Sequence, residues 1–170
     1  MSDETVGAVA LGWWGRALRP AEDGGAARAL RARLRRARGA ADALAEQAVI
    51  DLYDRLGGRV APDALAALAQ VLAHVERHEG RRVASAFGAG DPKALSPLRF
   101  QRLIRADDRG ALAQGLRRAL PMIGHSCNVP ALAADLVFWA EPVRVRWCFD
   151  YYGARPPAAT VSESVSGETE

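Results

Sequence analysis

Residues 96–120 restrict the possible folds most strongly, because their pattern predicts two amphipathic helices joined by a tight corner. Ser96 followed by Pro97 is typical of a helix start, since serine caps free N–H groups and proline at the first helical position loses no hydrogen bond. At the helical period one side is apolar, with Phe100, Leu103 and Ile104. The other side carries Arg99, Arg102, Arg105 and Arg109. The first helix can therefore bury one face and expose a row of guanidinium groups.

The second helix of this stretch repeats the arrangement. Asp107 and Asp108 precede it and predict a helix cap. A metal-dependent nuclease site is the other interpretation of this pair, but adjacent helical carboxylates diverge, so we favour capping. The apolar stripe of the second helix consists of Leu112, Leu116 and Leu120, and beside it lie Arg117 and Arg118.

The same periodicity predicts helices along most of the chain, over residues 5–18, 26–38, 41–56, 62–78, 129–140 and 142–152. Alternating segments are short, so no convincing strand is expected. Residues 80–96 hold several Gly and Pro residues and predict a long loop. The predicted fold class is all-α, with two small helical bundles packed into one elongated unit.

This pattern also predicts how the domains are arranged. We expect an N-terminal helical lobe over residues 1–80, a loop over 81–95, a C-terminal helical lobe over 96–153 and a disordered tail over 154–170. Residues 156–170 contain three glutamates and no basic residue, so the rest of the chain carries a formal charge of +6, against +3 for the whole. Such a basic body favours polyanionic partners.

Residues 26–38 form the densest basic run, and it contains no acidic residue. The arginines Arg28, Arg31, Arg35 and Arg38 share one helix face. Pairing within the helix cannot neutralise them, so we favour nucleic-acid contact over a solvated surface. Coding bias explains part of the preference for arginine, since Lys93 is the only lysine, but it does not explain the clustering.

Trp13 and Trp14 are adjacent in the first predicted helix and cannot both face one narrow stripe. We favour packing for them, against the core or a neighbouring helix, over stacking on a partner.

No enzyme site is predicted from the sequence. His74 and His78 have a zinc-compatible spacing, but the order HVERH lacks the glutamate that follows the first histidine in metalloproteases. His125 and Cys127 are close together, with no further ligand placed to complete a tetrahedron. There is no phosphate-binding glycine loop, dinucleotide fingerprint or nucleophile triad. We expect no catalysis, no metal and no cofactor.

The two cysteines form no disulfide framework, which favours a reducing, cytoplasmic setting. No signal peptide is visible, and no apolar run is long enough to span a bilayer.

The segment RFQRLIRAD, followed by LRRAL and then by the apolar helix LVFWA, resembles the CasB family, the small subunit of the type I-E CRISPR surveillance complex, Cascade. The similarity covers roughly residues 8–152 and is most specific over 99–120. It implies two helical bundles, no catalytic activity, copies that pair head to tail, and contact with other Cascade subunits, guide RNA, and the target and displaced DNA strands. The role it implies is a basic clamp in antiviral defence that stabilises the R-loop.

The resemblance also implies particular contact residues. Arg105 and Arg118 match the family's basic nucleic-acid-contacting positions, and Arg109 lies one position from another. Arg144 and Arg146 match a basic cluster after the tryptophan helix, and Arg81, Arg82 and Lys93 fit a basic central loop. The full set predicted to bind nucleic acid is Arg31, Arg35, Arg38, Arg99, Arg102, Arg105, Arg109, Arg117, Arg118, Arg144 and Arg146. A protein–protein scaffold without nucleic-acid contact is the alternative function, and a free-standing helical regulator is a third.

Overall fold

A computed structural model of the chain describes residues 1–20 and 24–155. The helices are α1 (Asp3–Ala17), α2 (Gly25–Arg36), α3 (Ala40–Leu44), α4 (Gln47–Arg55), α5 (Pro62–Leu72), α6 (Val83–Phe87), α7 (Pro97–Ile104), α8 (Arg109–Ala119), α9 (Val129–Val137) and α10 (Glu141–Tyr152). Two short strands, β1 (Arg77–His78) and β2 (Ser126–Cys127), complete the fold with a 3-10 turn at Leu120–Ile123. The all-α fold class is confirmed. The predicted tail lies outside the described residues from position 156 onward.

Helix α5 is the centre of the fold. Every residue from Ala64 to Leu72 is buried, and α3, α8 and α9 pack around it. The one polar side chain in that run, Gln70, donates to the Gly39 carbonyl oxygen at 3.1 Å. A helix that is apolar on all sides is typical of an element surrounded by others.

Helix α1 packs along α9, so the start of the chain contacts its C-terminal half. Trp13 and Trp14 are each only 3% exposed. Their indole N–H groups donate to the carbonyl oxygens of Ala48 at 2.8 Å and Val75 at 3.1 Å. The packing role is confirmed for both tryptophans, because α1 has neighbours on more than one side.

Two predicted helices are interrupted. The helix predicted over 41–56 is divided into α3 and α4, and the helix predicted over 62–78 ends at Leu72. Beyond it, β1 pairs in parallel with β2, with Arg77 opposite Ser126 and His78 opposite Cys127. The expectation of no strand was therefore wrong for these residues, whose pairing joins segments far apart in the sequence.

The prediction of a long loop over residues 80–96 was also wrong in part. Val83 and Phe87 of α6 are buried, as is Leu95 after it. Tyr151 of α10 covers the segment: its hydroxyl donates to the Leu95 carbonyl oxygen at 2.6 Å, and its ring stacks on Phe100 at 3.9 Å. The Gly and Pro residues of this region therefore lie between short segments whose buried side chains hold them in place.

The buried apolar residues form one contiguous cluster from Val6 in α1 to Tyr151 in α10. The α1–α9 and α5–α8 contacts cross the expected boundary between lobes. The division into two lobes stays a prediction. Within the described ranges, no helix is long and apolar enough to cross a membrane.

Candidate nucleic-acid interface

A side-chain cap begins each of the helices α7 and α8. Ser96 Oγ accepts from the Arg99 backbone N–H at 3.4 Å, and Asp108 Oδ1 accepts from the Ala111 backbone N–H at 2.8 Å. The predicted caps at Ser96 and Asp108 are confirmed, while Asp107 is exposed beside them.

A groove of about 600 Å³ lies between α7 and α8. The two helices approach closely at Gly115, where a Cβ would stand 2.7 Å from Leu103 Cδ1. Apolar residues form the floor of this first groove: Leu95, Leu103, Ala111, Ala119 and Met122. Its rim carries three exposed arginines, Arg99, Arg102 and Arg118.

A second groove of about 530 Å³ joins the end of α2 to α8. Its lining includes Arg36 and Arg38, and it shares Gln114 and Arg118 with the first groove. Arg118 therefore stands where the two grooves meet. The basic run of α2 and the arginines of α7 and α8 share one continuous surface.

We name this region the arginine surface, and it consists of Arg36, Arg38, Arg99, Arg102 and Arg118. All five are exposed, and none of their side chains forms an ion pair with a carboxylate of residues 1–20 or 24–155. Arg36 was not among the predicted contact residues, because it lies off the helix face counted in the sequence. Only its position beside α8 identifies it.

The other predicted arginines in α2 are half-buried and make internal contacts. Arg31 donates to the Leu18 carbonyl oxygen at 2.9 Å, and Arg35 Nε donates to that of Ala73 at 2.7 Å. Both also line a smaller groove of about 260 Å³, with Arg28 and Arg36. The acids that α2 lacks come from elsewhere in the fold, since Arg33 forms a two-bond pair with Glu46 at 2.7 and 3.0 Å.

Arg117 joins α8 to α2 and to the end of α5. Its guanidinium donates to the backbone carbonyls of Arg35 and Ala37, and its Nε donates to His74 Nε2 at 3.1 Å. Burial, with the positive charges of Arg35 and Arg117 next, lowers the pKa of His74 to about 4. His74 is therefore neutral near pH 7 and accepts a hydrogen bond there.

Arg109, the first residue of α8, holds the end of α9. Its guanidinium donates to the Leu136 carbonyl oxygen at 3.2 Å and to that of Val137 at 3.0 Å, and it pairs with Asp63 at 3.3 Å. A cation at a helix C-terminus satisfies carbonyls that have no partner within the helix.

The arginines of α10 lie around a buried carboxylate. Asp135, 3% exposed, accepts from Trp147 Nε1 at 2.7 Å and pairs with Arg146, and with Arg82 at 3.5 Å. Burial raises the pKa of Asp135, although the Trp147 hydrogen bond and the two guanidiniums oppose that rise. Arg144 donates to the Ala106 carbonyl oxygen at 3.3 Å.

Four further residues were assigned from the family resemblance. Arg105, at the C-cap of α7, is exposed and lines neither groove of the arginine surface. Arg81 is also exposed, whereas Arg82 makes the pair described above. Lys93 donates to the Gly88 carbonyl oxygen at 2.8 Å and lies 5.1 Å from the centre of the Tyr151 ring.

The residues with metal-ligand spacing have other partners. His78 Nδ1 accepts from the Val129 backbone N–H at 3.2 Å, and His125 Nδ1 lies 2.8 Å from the His74 carbonyl oxygen. Among the residues that the structure describes, no group of three metal-binding side chains occurs. Burial raises the pKa of the Cys127 thiol to about 12.

The fold and the surface define a class: all-helical proteins with an apolar core and an exposed arginine surface. The family model of CRISPR-associated protein Cse2 matches residues 30–152, so the chain belongs to that family. This confirms the predicted family.

Two solved structures are similar to this chain. One is CasB from Thermus thermophilus, 25% identical, with a TM-score of 0.60 over 87% of this chain and 98% of that one. The other is a chain of E. coli Cascade bound to a PAM-containing double-stranded DNA target, 23% identical, with a TM-score of 0.64 over 84% of this chain and 93% of that one. The second likeness concerns the fold alone. No curated protein matches the sequence.

Proposed function

We propose that this chain is a non-catalytic small subunit of a CRISPR RNA-guided surveillance complex of the Cascade type, which binds nucleic acid through the arginine surface and stabilises the R-loop in antiviral defence. Its partners there are other Cascade subunits with their guide RNA, the target and displaced DNA strands, and a second copy in a head-to-tail pair. The observation that carries the proposal is the meeting of the two grooves at Arg118.

The chemistry of the surface fits this role. Exposed guanidiniums bind phosphate oxygens in a forked geometry and need no particular base beside them. Guide–target pairing replaces DNA pairing of similar strength, so contacts to the backbone are enough to tip the balance, as is established for another class of CRISPR effector. Five arginines that pair with no carboxylate of residues 1–20 or 24–155 supply such contacts.

The half-buried arginines contribute differently. Arg109, Arg117 and Arg146 are engaged in holding helices together. Their guanidiniums add positive potential near the surface, but direct phosphate contact would cost them internal hydrogen bonds. We therefore assign the main contacts to the arginine surface, with exposed Arg105 as an additional contact.

The test compares the double variant Arg102→Ala/Arg118→Ala with the control Arg55→Ala/Arg59→Ala, which removes the same charge from exposed arginines outside these grooves. We expect the first variant to weaken binding to single-stranded DNA by roughly tenfold or more at low salt, since each lost phosphate contact reduces affinity and salt dependence together. Fluorescence anisotropy measures the affinity, and circular dichroism checks the fold. The assembled complex should lose target DNA faster with the same variant.

If the two variants lose the same amount of affinity for single-stranded DNA, then only the net charge of the protein matters and not the position of the arginines. Absence of any binding by the wild-type protein at low salt, together with normal target retention by the variant complex, would favour the scaffold function.

A further inference from the structure

We propose that residues 156–170 of this chain dock on its own arginine surface and compete there with nucleic acid. The proposal rests on the proposed function and assigns a regulatory partner to the same surface. The segment that docks lies outside the described residues.

Charge complementarity is the first argument. Residues 156–170 contain three carboxylates and no basic residue, namely Glu163, Glu168 and Glu170. The arginine surface carries five guanidiniums that have no carboxylate partner in the described chain. Carboxylates and phosphates bind a guanidinium through the same forked hydrogen bonds, so an acidic segment occupies the positions that a nucleic-acid backbone would use.

The point where the described chain ends is the second argument. Helix α10 ends at Tyr152, with Gly153 as its left-handed cap. One residue earlier, the Tyr151 hydroxyl donates to the carbonyl oxygen of Leu95, which lines the first groove. Arg155, the residue before this segment, follows Tyr151 by four positions. Fifteen residues extend to at most about 50 Å, which is ample for the distance across a small domain.

The floor of the first groove is the third argument. Leu103 and Met122 give it apolar character between the arginines of the rim, and Met122 is 45% exposed. The acidic segment carries Val161 and Val165, which flank Glu163 at two-residue spacing. Valine side chains gain free energy by burial on an apolar floor, so the segment carries both an acidic and an apolar group that the groove can accept.

The expected strength follows from tethering. Exposed ion pairs are individually weak. The covalent link, however, gives the segment a local concentration in the millimolar range, so even a weak contact is partly formed. The segment therefore competes only partly with nucleic acid, and salt weakens this competition.

Three proteins test the proposal: the full chain, a chain that stops at Arg155, and the full chain with Glu163→Gln, Glu168→Gln and Glu170→Gln. We expect the shortened chain and the triple variant to bind single-stranded DNA roughly three- to tenfold more tightly than the full chain at low salt, and the differences to vanish at high salt. Equal affinities for all three proteins at low salt would overturn the proposal.

A second measurement does not depend on DNA. A labelled peptide of residues 156–170 should bind the shortened chain, and Arg102→Ala/Arg118→Ala should abolish that binding, whereas the control Arg55→Ala/Arg59→Ala should not. If no protein binds DNA but the peptide binds in this pattern, the proposed function fails and docking stands. If the full chain forms dimers that the shortened chain does not, the segment docks on a second copy, and the intrachain form is wrong.

Discussion

Asp135 joins α9 to α10, because its carboxylate accepts from both Arg146 and Trp147. Asp135→Asn keeps the shape but removes the charge that faces Arg146 and Arg82. We expect the free energy of unfolding to fall by about 2 kcal/mol, because a guanidinium left without its buried carboxylate keeps its desolvation cost. Chemical denaturation measures this change.

Asp63→Asn is the matched control. Its side chain is 56% exposed, and Arg109 keeps the carbonyls of Leu136 and Val137 when the ion pair is lost. We expect a loss of less than about 1 kcal/mol. If the two variants lose the same free energy of unfolding, then the burial of Asp135 does not account for the stability that its ion pairs contribute.

His74 predicts a pH dependence of stability. Its folded pKa of about 4 lies below the ordinary value of 6.5, so the unfolded chain binds the proton more readily between these pH values. Stability is therefore complete above pH 6.5 and falls as the pH decreases toward 4. The full shift corresponds to roughly 3 kcal/mol, and because the ring is partly exposed we expect about 1–2 kcal/mol.

The measurement compares wild type and His74→Gln by denaturation at pH 7 and pH 4.5. Glutamine can still accept from Arg117 but cannot take up a proton in this range. The variant should lose less stability than wild type on acidification. Identical losses in both proteins would assign the acid sensitivity to carboxylates instead.

Arginine is the residue type whose role the sequence predicts least well. The exposed Arg99, Arg102 and Arg118 follow directly from helical periodicity. The half-buried Arg109 and Arg117 look the same in sequence, yet they bind backbone carbonyls of remote segments. Every residue has a carbonyl, so no residue pattern marks such an acceptor.

At the scale of elements, the contact between α6 and α10 requires glycine at position 88. A Cβ on Gly88 would overlap the backbone carbonyl of Tyr151, which has no freedom to rotate away. We expect Gly88→Ala to destabilise the fold by about 2–3 kcal/mol, because α10 must shift from its place. Thermal and chemical denaturation measure the effect.

Gly15→Ala, in the exposed part of α1, is the control for this substitution. Apart from the neighbouring residues and backbone of α1 itself, no atom lies within 4 Å of the new Cβ, and alanine favours a helix over glycine by about 0.5–1 kcal/mol. We expect this variant to be more stable than wild type. If Gly88→Ala were equally well tolerated, the close approach of α6 and α10 would not be a feature of the protein in solution.

The sequence predicts a structural element well when neighbouring residues alone determine it, as at a helix cap. Ser96, Asp108 and Asn128 cap helices as their side chains suggest, the last by accepting from Ala131 N–H at 2.9 Å. The pairing of β1 with β2 and the burial of α6 depend on segments distant in sequence. No residue pattern within these segments predicts which distant segment each of them will contact.

At the scale of the whole molecule, the continuous arginine surface predicts how binding depends on salt. For single-stranded nucleic acid, each neutralised phosphate adds about 0.7 to the slope of log affinity against log salt concentration. Removing Arg102 and Arg118 should lower the slope by about 1.4, and Arg36 with Arg38 should lower it by a similar amount. If one strand follows both grooves through Arg118, the variant that lacks all four arginines should show a slope lower by about 2.8, and every variant should have a single binding site. Titration of binding at several salt concentrations measures the slope and the number of sites. If there are two separate sites, each abolished by one pair of substitutions, then the grooves act independently.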